Sequence, residues 1–164
     1  MKAARTYVRI HLVLLILLLC PACGISDGGR EAEFAVDVEA LGEQLYQELE
    51  FRDRLEEIEP SVVYALLGID KNNVVAQKNY FSSGATAEEI IVFQSAGKDE
   101  HRALLQALES RIEAQKEVYA SYAPEEVSFL KAAVLEEKGS YLVYCVAADG
   151  DAAKKLISGA LQGQ

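Results

Sequence analysis

Apolar residues recur along this chain with two different periods. Val38, Leu41, Leu45 and Leu49 fall three and four apart, which predicts a first helix beginning near Val36 with one face turned inward. Pro60-Ser61 ahead of Val62, Val63, Leu66 and Leu67 predicts a short second helix stopped at Gly68. The period then shortens. Residues 74–82 and 89–94 carry Val, Ile, Tyr and Phe between turn formers, and Ser83-Gly84-Ala85 joins them as a β-hairpin. Thr86-Ala87-Glu88-Glu89 also has the form of a helix-opening capping box. The apolar pair Ile90-Ile91 has no continuation one helical repeat later, where Gly97 stands, so strand is preferred.

Asp99 occupies the place of an N-cap, and Leu105, Leu108, Ile112 and Tyr119 mark the inner face of a long helix ending before Pro124. Arg111, Glu113, Lys116 and Glu117 fall off that face and are expected to be solvated. Pro124-Glu125-Glu126 suits the first turn of a brief helix reaching Lys131. Residues 133–137 and 140–148, turning at Lys138-Gly139, make a second hairpin. Ala153, Leu156, Ile157, Ala160 and Leu161 close the chain with an amphipathic helix capped by Asp149 or Asp151. The expected fold is therefore α+β over residues 36–164: a four-stranded antiparallel sheet built from two hairpins, alternating with helices that pack on one face. The last strand complicates this, because Tyr141, Val143, Cys145 and Ala147 point one way and Leu142, Tyr144, Val146 and Ala148 the other. Either the strand is central and helices cover it on both sides, which is how doubly buried strands read and is the preferred reading, or one face offers an aromatic surface to a partner. Tyr80, Tyr141 and Tyr144 are the candidate interaction residues in the second case.

The front of the chain carries an address. Lys2, Arg5 and Arg9 precede an apolar run from Leu12 to Leu19, and Pro21-Ala22 stand before Cys23. This is the layout of a cleaved lipoprotein signal over residues 1–22. Leu12 to Cys23 is twelve residues, well short of the roughly 20 a spanning helix needs. Cleavage would expose Cys23 for a diacylglyceryl group, whose two acyl chains give stable anchoring at the outer face of the cell membrane. Residues 23–35, with Ser26-Asp27-Gly28-Gly29, read as a lipidated flexible tether. Cys145 is then the only free thiol, placed among strand formers as a small hydrophobe.

Charge removes further classes of function. Residues 1–22 hold three of the 16 Lys+Arg and none of the 26 Asp+Glu, so cleavage takes the net charge from −10 to −13. Nucleic acid would be repelled. The length suits one domain.

The stretch Phe81-Ser-Ser-Gly-Ala-Thr-Ala-Glu-Glu-Ile-Ile-Val-Phe93, the segment Glu109-Ser-Arg-Ile-Glu-Ala-Gln115, the Tyr122-Ala-Pro124 break and the Gly139-Ser-Tyr141 turn resemble domain-of-unknown-function family 4358. The resemblance spans nearly all of the chain after the signal. It implies a lipoprotein of Gram-positive-type bacteria and a shared fold; it brings no activity, substrate or catalytic residue.

The motifs of familiar chemistries do not appear. His101 stands alone after the signal and is expected to be a solvated helix residue, since zinc sites need three or four ligands. Asp70 to Phe81 starts like a calcium loop but has Val75 in place of glycine and Phe81 in place of the bidentate glutamate. No cofactor motif is found. A Ser-His-acid triad would have to join His101 to Ser82, Ser83 or Ser95. The acid pairs Glu56-Glu57, Glu88-Glu89, Glu125-Glu126 and Glu136-Glu137 could supply glycosidase carboxylates only if a cleft brought two of them face to face. The expected function is that of a non-enzymatic, membrane-anchored extracytoplasmic domain binding an envelope protein or peptide; the alternative is a cell-wall-directed hydrolase with an acidic active site.

Overall fold

The computed structural model of the protein describes residues 35–163. The signal expected over residues 1–22, the lipidation site Cys23 and nearly all of the expected tether lie outside the described residues.

The chain runs through α1 (Val38–Glu48), β1 (Glu56–Glu57), α2 (Pro60–Leu67), a single 3₁₀ turn (Lys71–Asn73), β2 (Val74–Phe81), β3 (Glu89–Ser95), α3 (Lys98–Tyr122), α4 (Glu126–Lys131), β4 (Val134–Lys138), β5 (Tyr141–Val146) and α5 (Gly150–Gln162). The strands form one antiparallel sheet in the order β1-β2-β3-β5-β4. The sheet has five strands, not the four expected. The additional strand, β1, is two exposed glutamates set against Tyr80 and Phe81 at the sheet edge. Backbone pairing alone makes it, so no alternation of apolar residues announces it. Its brevity and charge also blunt that edge against further pairing.

β5 lies between β3 and β4, and all six of its residues are buried. On one face Tyr80, Ile90, Val92, Val134, Tyr141, Val143 and Cys145 meet Val38, Leu41 and Leu45 of α1 and Ala153, Ile157 and Leu161 of α5. On the other, Ile91, Phe93, Leu142, Tyr144 and Val146 meet Val63 of α2, Leu104, Leu108 and Tyr119 of α3, and Leu130 of α4. Helices therefore cover both faces, as the preferred reading of β5 expected, and not the one face that the order of elements alone suggested. The two-sided apolar pattern of β5 has this cause.

Local chemistry sets the helix ends. The Asp37 carboxylate accepts from the Ala40 amide, and Asp149 accepts from the amides of Asp151 and Ala152, each at 3.0 Å. Gly68 ends α2 in the left-handed conformation at φ 64°. For α3 the cap is Gly97; Asp99, expected as the cap, lies in the first turn with Glu100, where acids favour the positive end of the helix dipole. None of the described helices is long and apolar enough to cross a membrane.

Candidate functional site

The three tyrosines expected to form an interaction surface do not form one. Tyr80 and Tyr141 are each 5 % exposed and face α1 and α5, whereas Tyr144 is wholly buried on the opposite face. Tyr80 stacks on Tyr46 with ring centroids 4.6 Å apart and donates its hydroxyl to Glu43 at 2.6 Å. Burial, aided by that carboxylate, pushes its phenol up to about 12. Their aromatic area is spent on the core because helices occupy both sides of the sheet.

The exposed apolar surface lies elsewhere. Val62 and Leu66 of α2 and Val118 and Tyr122 of α3 are each at least half exposed. Leu66, Leu67, Ala107, Ala114, Val118 and Tyr122 are among the residues lining an open cleft of about 450 Å³ between the two helices. A second cleft, of about 390 Å³, continues it past Gly68, Ile69 and Ala103, sharing Leu67, Ala107 and Ser110 with the first. Together they make one trough along α3. Its signal was in the sequence: α2 is apolar on nearly every side, yet only Val63 is buried, so the rest of its surface meets solvent.

Polar groups brace the floor of this trough. Arg111, expected to be solvated, instead lies with its side chain 14 % exposed against Glu89 at 2 %, making a forked pair in which Nε lies 2.9 Å and 3.0 Å from the carboxylate oxygens. Burial opposes the guanidinium charge, but Glu89 outweighs it and holds the Arg111 pKa above its ordinary value. Gln115, with its amide oriented to satisfy both neighbours, donates to Glu89 at 3.0 Å and accepts from Arg111 at 3.1 Å. The Tyr144 hydroxyl lies 3.4 Å from the same amide, and burial raises its pKa well above the ordinary phenol value. This network neutralises its own charges, so it fixes α3 on the sheet and offers no net charge to a ligand.

At least one acid of each other candidate pair is also occupied. Glu88, buried, and Glu126, 3 % exposed, converge on Arg52 rather than on an empty cleft. Arg52 makes two 2.7 Å bonds to Glu126 and one of 3.2 Å to Glu88, with its guanidinium 3.6 Å above the Phe129 ring. Glu88 also accepts from the backbone amides of Arg52 and Asp53, and Glu126 from that of Ala87. Glu57 pairs with Lys78 at 2.7 Å, and Glu136 accepts from Ser158 at 2.8 Å.

His101 is not a solvated helix residue. Its Nδ1 lies 3.2 Å from the Ser95 hydroxyl and its Nε2 2.6 Å from Glu137. The order of groups resembles a nucleophile, a base and its orienting acid. Ser95 is only 5 % exposed, however, and its hydroxyl donates to the Ser140 carbonyl at 3.0 Å. None of the three lines either trough cleft. The arrangement ties the end of β3 to α3 and β4. Among the described residues no group of three His, Cys, Asp or Glu could hold a metal ion.

One family model, described as Domain of unknown function (DUF4358), matches residues 47–147. The matched segment includes all five strands and both walls of the trough, while α5 lies beyond it. No curated protein and no solved structure matches the chain.

Proposed function

The chain belongs to the family described as Domain of unknown function (DUF4358), and from that premise, which assigns no reaction, we propose a non-enzymatic binding domain. It is held at the outer face of the cell membrane through a diacylglyceryl group on Cys23 and takes an envelope protein or peptide in the α2–α3 trough. The carrying observation is that half-exposed Leu66, Val118 and Tyr122 line the trough, with half-exposed Val62 one turn before Leu66 on α2, in a protein whose central strands β3 and β5 are covered on both faces. A contiguous exposed apolar patch costs solubility and marks interaction sites. The anchor rests on the basic head, the short apolar run and Ala22-Cys23.

Two experiments test the two halves. Intact-mass analysis of the membrane-extracted protein is expected to find a chain beginning at acylated Cys23, and C23A is expected to leave the membrane fraction; an unacylated full-length chain would refute the anchor. Proximity labelling from the tethered protein, compared with the L66D/V118D variant, is expected to lose a specific neighbour while general membrane neighbours persist. An unchanged set would refute the trough as the binding face. The Ser95–His101–Glu137 chain is the observation that favours a hydrolase instead, and covalent labelling of Ser95 by a fluorophosphonate would establish that second reading.

A further inference from the structure

We infer that the occupant of the trough is an amphipathic helix bearing Lys or Arg along its flanks, an inference that rests on the trough being the binding face. Three observations carry it: length, backbone chemistry and charge. The trough follows α3 from Ala103 to Tyr122, a distance of about 28 Å at 1.5 Å per residue. That is the length of a helix of about five turns.

An extended peptide is the wrong shape for this place. Both walls are helices, whose backbone groups are already paired within themselves apart from the ends. An extended chain lying there would leave its own N–H and C=O groups without partners, whereas a helix arrives with them satisfied. The α3 wall also presents Ala107, Ser110 and Ala114 one helical turn apart. Small side chains let a third helix approach to ordinary interaxial distance while Leu66, Val118 and Tyr122 grip its sides.

The charge at the rim sets the sign of the partner. Glu113 and Glu117 are exposed and precede Ala114 and Val118 on α3, and Glu59 is the residue from which α2 starts; the three stand outside the clefts' own lining. Lys116 answers Glu113 at 2.9 Å, and the cation on the floor, Arg111, is taken by Glu89. At the other end Asp70 lines the cleft with Lys71 next to it in the chain, and Asp99 and Arg102 of the first turns of α3 pair with each other at 3.2 Å, so these charges balance. The excess is acidic toward the Tyr122 end. A second copy of this chain, with a net charge of −13 once residues 1–22 are removed, would bring the same acids against each other within the screening distance of roughly 8 Å. A cationic helix is attracted by what repels a second copy.

The test uses the full lipidated protein in nanodiscs of zwitterionic lipid, with empty nanodiscs as the blank. The probes are 18-residue amphipathic peptides with one Leu/Ala stripe, made in Lys-flanked and Glu-flanked versions. The Lys-flanked peptides are expected to bind about tenfold more tightly than their Glu-flanked counterparts, an amount a few surface charge pairs supply. L66D/V118D should abolish binding, and E113Q/E117Q should shrink the preference without abolishing it. Equal binding of both versions, lost together in L66D/V118D, would overturn the cationic partner and leave the trough as binding face. Binding of neither would overturn the helical occupant, while the proximity comparison judges the trough independently. A dimer in sedimentation that L66D/V118D converts to monomer would make a second copy the occupant and overturn the inference.

Discussion

Replacing Arg52 with alanine strands two carboxylates that the fold has taken out of water. The Glu88 side chain is fully buried and that of Glu126 is 4 % exposed, and Arg52 bonds both. Removing one partner of a buried ion pair costs about 3–5 kcal/mol, because the remaining charge stays desolvated. Here the Arg52 side chain is about a third exposed, and Glu88 and Glu126 keep their backbone amide donors. Both facts argue for the lower end, about 3 kcal/mol. For a domain of this size that is roughly a 10 °C fall in Tm. R52K should recover part of the loss, since an ammonium keeps the charge but cannot fork across Glu126 as the guanidinium does. R102A is the control: its partner Asp99 is 86 % exposed on the side chain, and removal should change stability by under about 0.5 kcal/mol. Acid supplies a second check. The Arg52 hydrogen bonds, outweighing burial, hold Glu126 below the ordinary carboxylate value of 4.5. A lowered folded-state value gives stability that is complete above the unfolded value and lost as pH falls through the folded one. The gap between wild type and R52A should therefore be widest at neutral pH and narrow below pH 4.5. Urea unfolding across pH measures it. Equal stability of R52A and wild type at pH 7, or a gap that widens in acid, would refute the clamp.

Three further outcomes follow from the packing. A Cβ at Gly150 would lie 2.7 Å from the Ala132 carbonyl oxygen, while nothing lies within 4 Å of one at Gly159; G150A should lose about 1–3 kcal/mol and G159A gain about 0.5–1 in denaturant unfolding, and the reverse order would contradict the packing of α5. The Cys145 thiol is pushed up to about 12 by burial, with Glu89 and Glu88 adding to it, so it should resist alkylation at pH 8 until urea unfolds the chain; rapid reaction of the native protein would place it outside the core. Leu66→Asp and Val118→Asp, at positions half exposed in the fold, should each change stability by less than about 0.5 kcal/mol, and a loss of several kcal/mol would make these side chains part of the core.

Elements with a repeated pattern were legible before any coordinates. Strands β2 to β5 and helices α1 and α3 announce themselves by period, and Gly68 and Asp149 punctuate them as their chemistry requires. The mixed α+β class with an antiparallel sheet follows from that order. What escaped is what depends on partners distant in sequence. Arg111 lies off the apolar stripe of its helix, and only the fold brings it to Glu89, 22 residues earlier. Glu88 and Glu126, 38 positions apart in the chain, meet only through Arg52. β1 has no side-chain signature, since backbone pairing with Tyr80 and Phe81 defines it. Alternation showed that both faces of β5 are apolar but not what covers them, so Tyr144 could be read as surface until α3 was seen above it. The trough was visible in part: four large aliphatic residues among the eight of α2 exceed what one buried face needs.

The binding-face claim is tested most directly by a photoreactive amino acid placed in the protein in living cells at Val118, in the trough, or at Val75, on β2 and outside it. Both positions are more than half exposed, so they differ in surroundings rather than in access. The account predicts a discrete cross-linked species from position 118, lost when Leu66→Asp is added, and none from position 75. Equal cross-linking from both positions, or from position 75 alone, would contradict it.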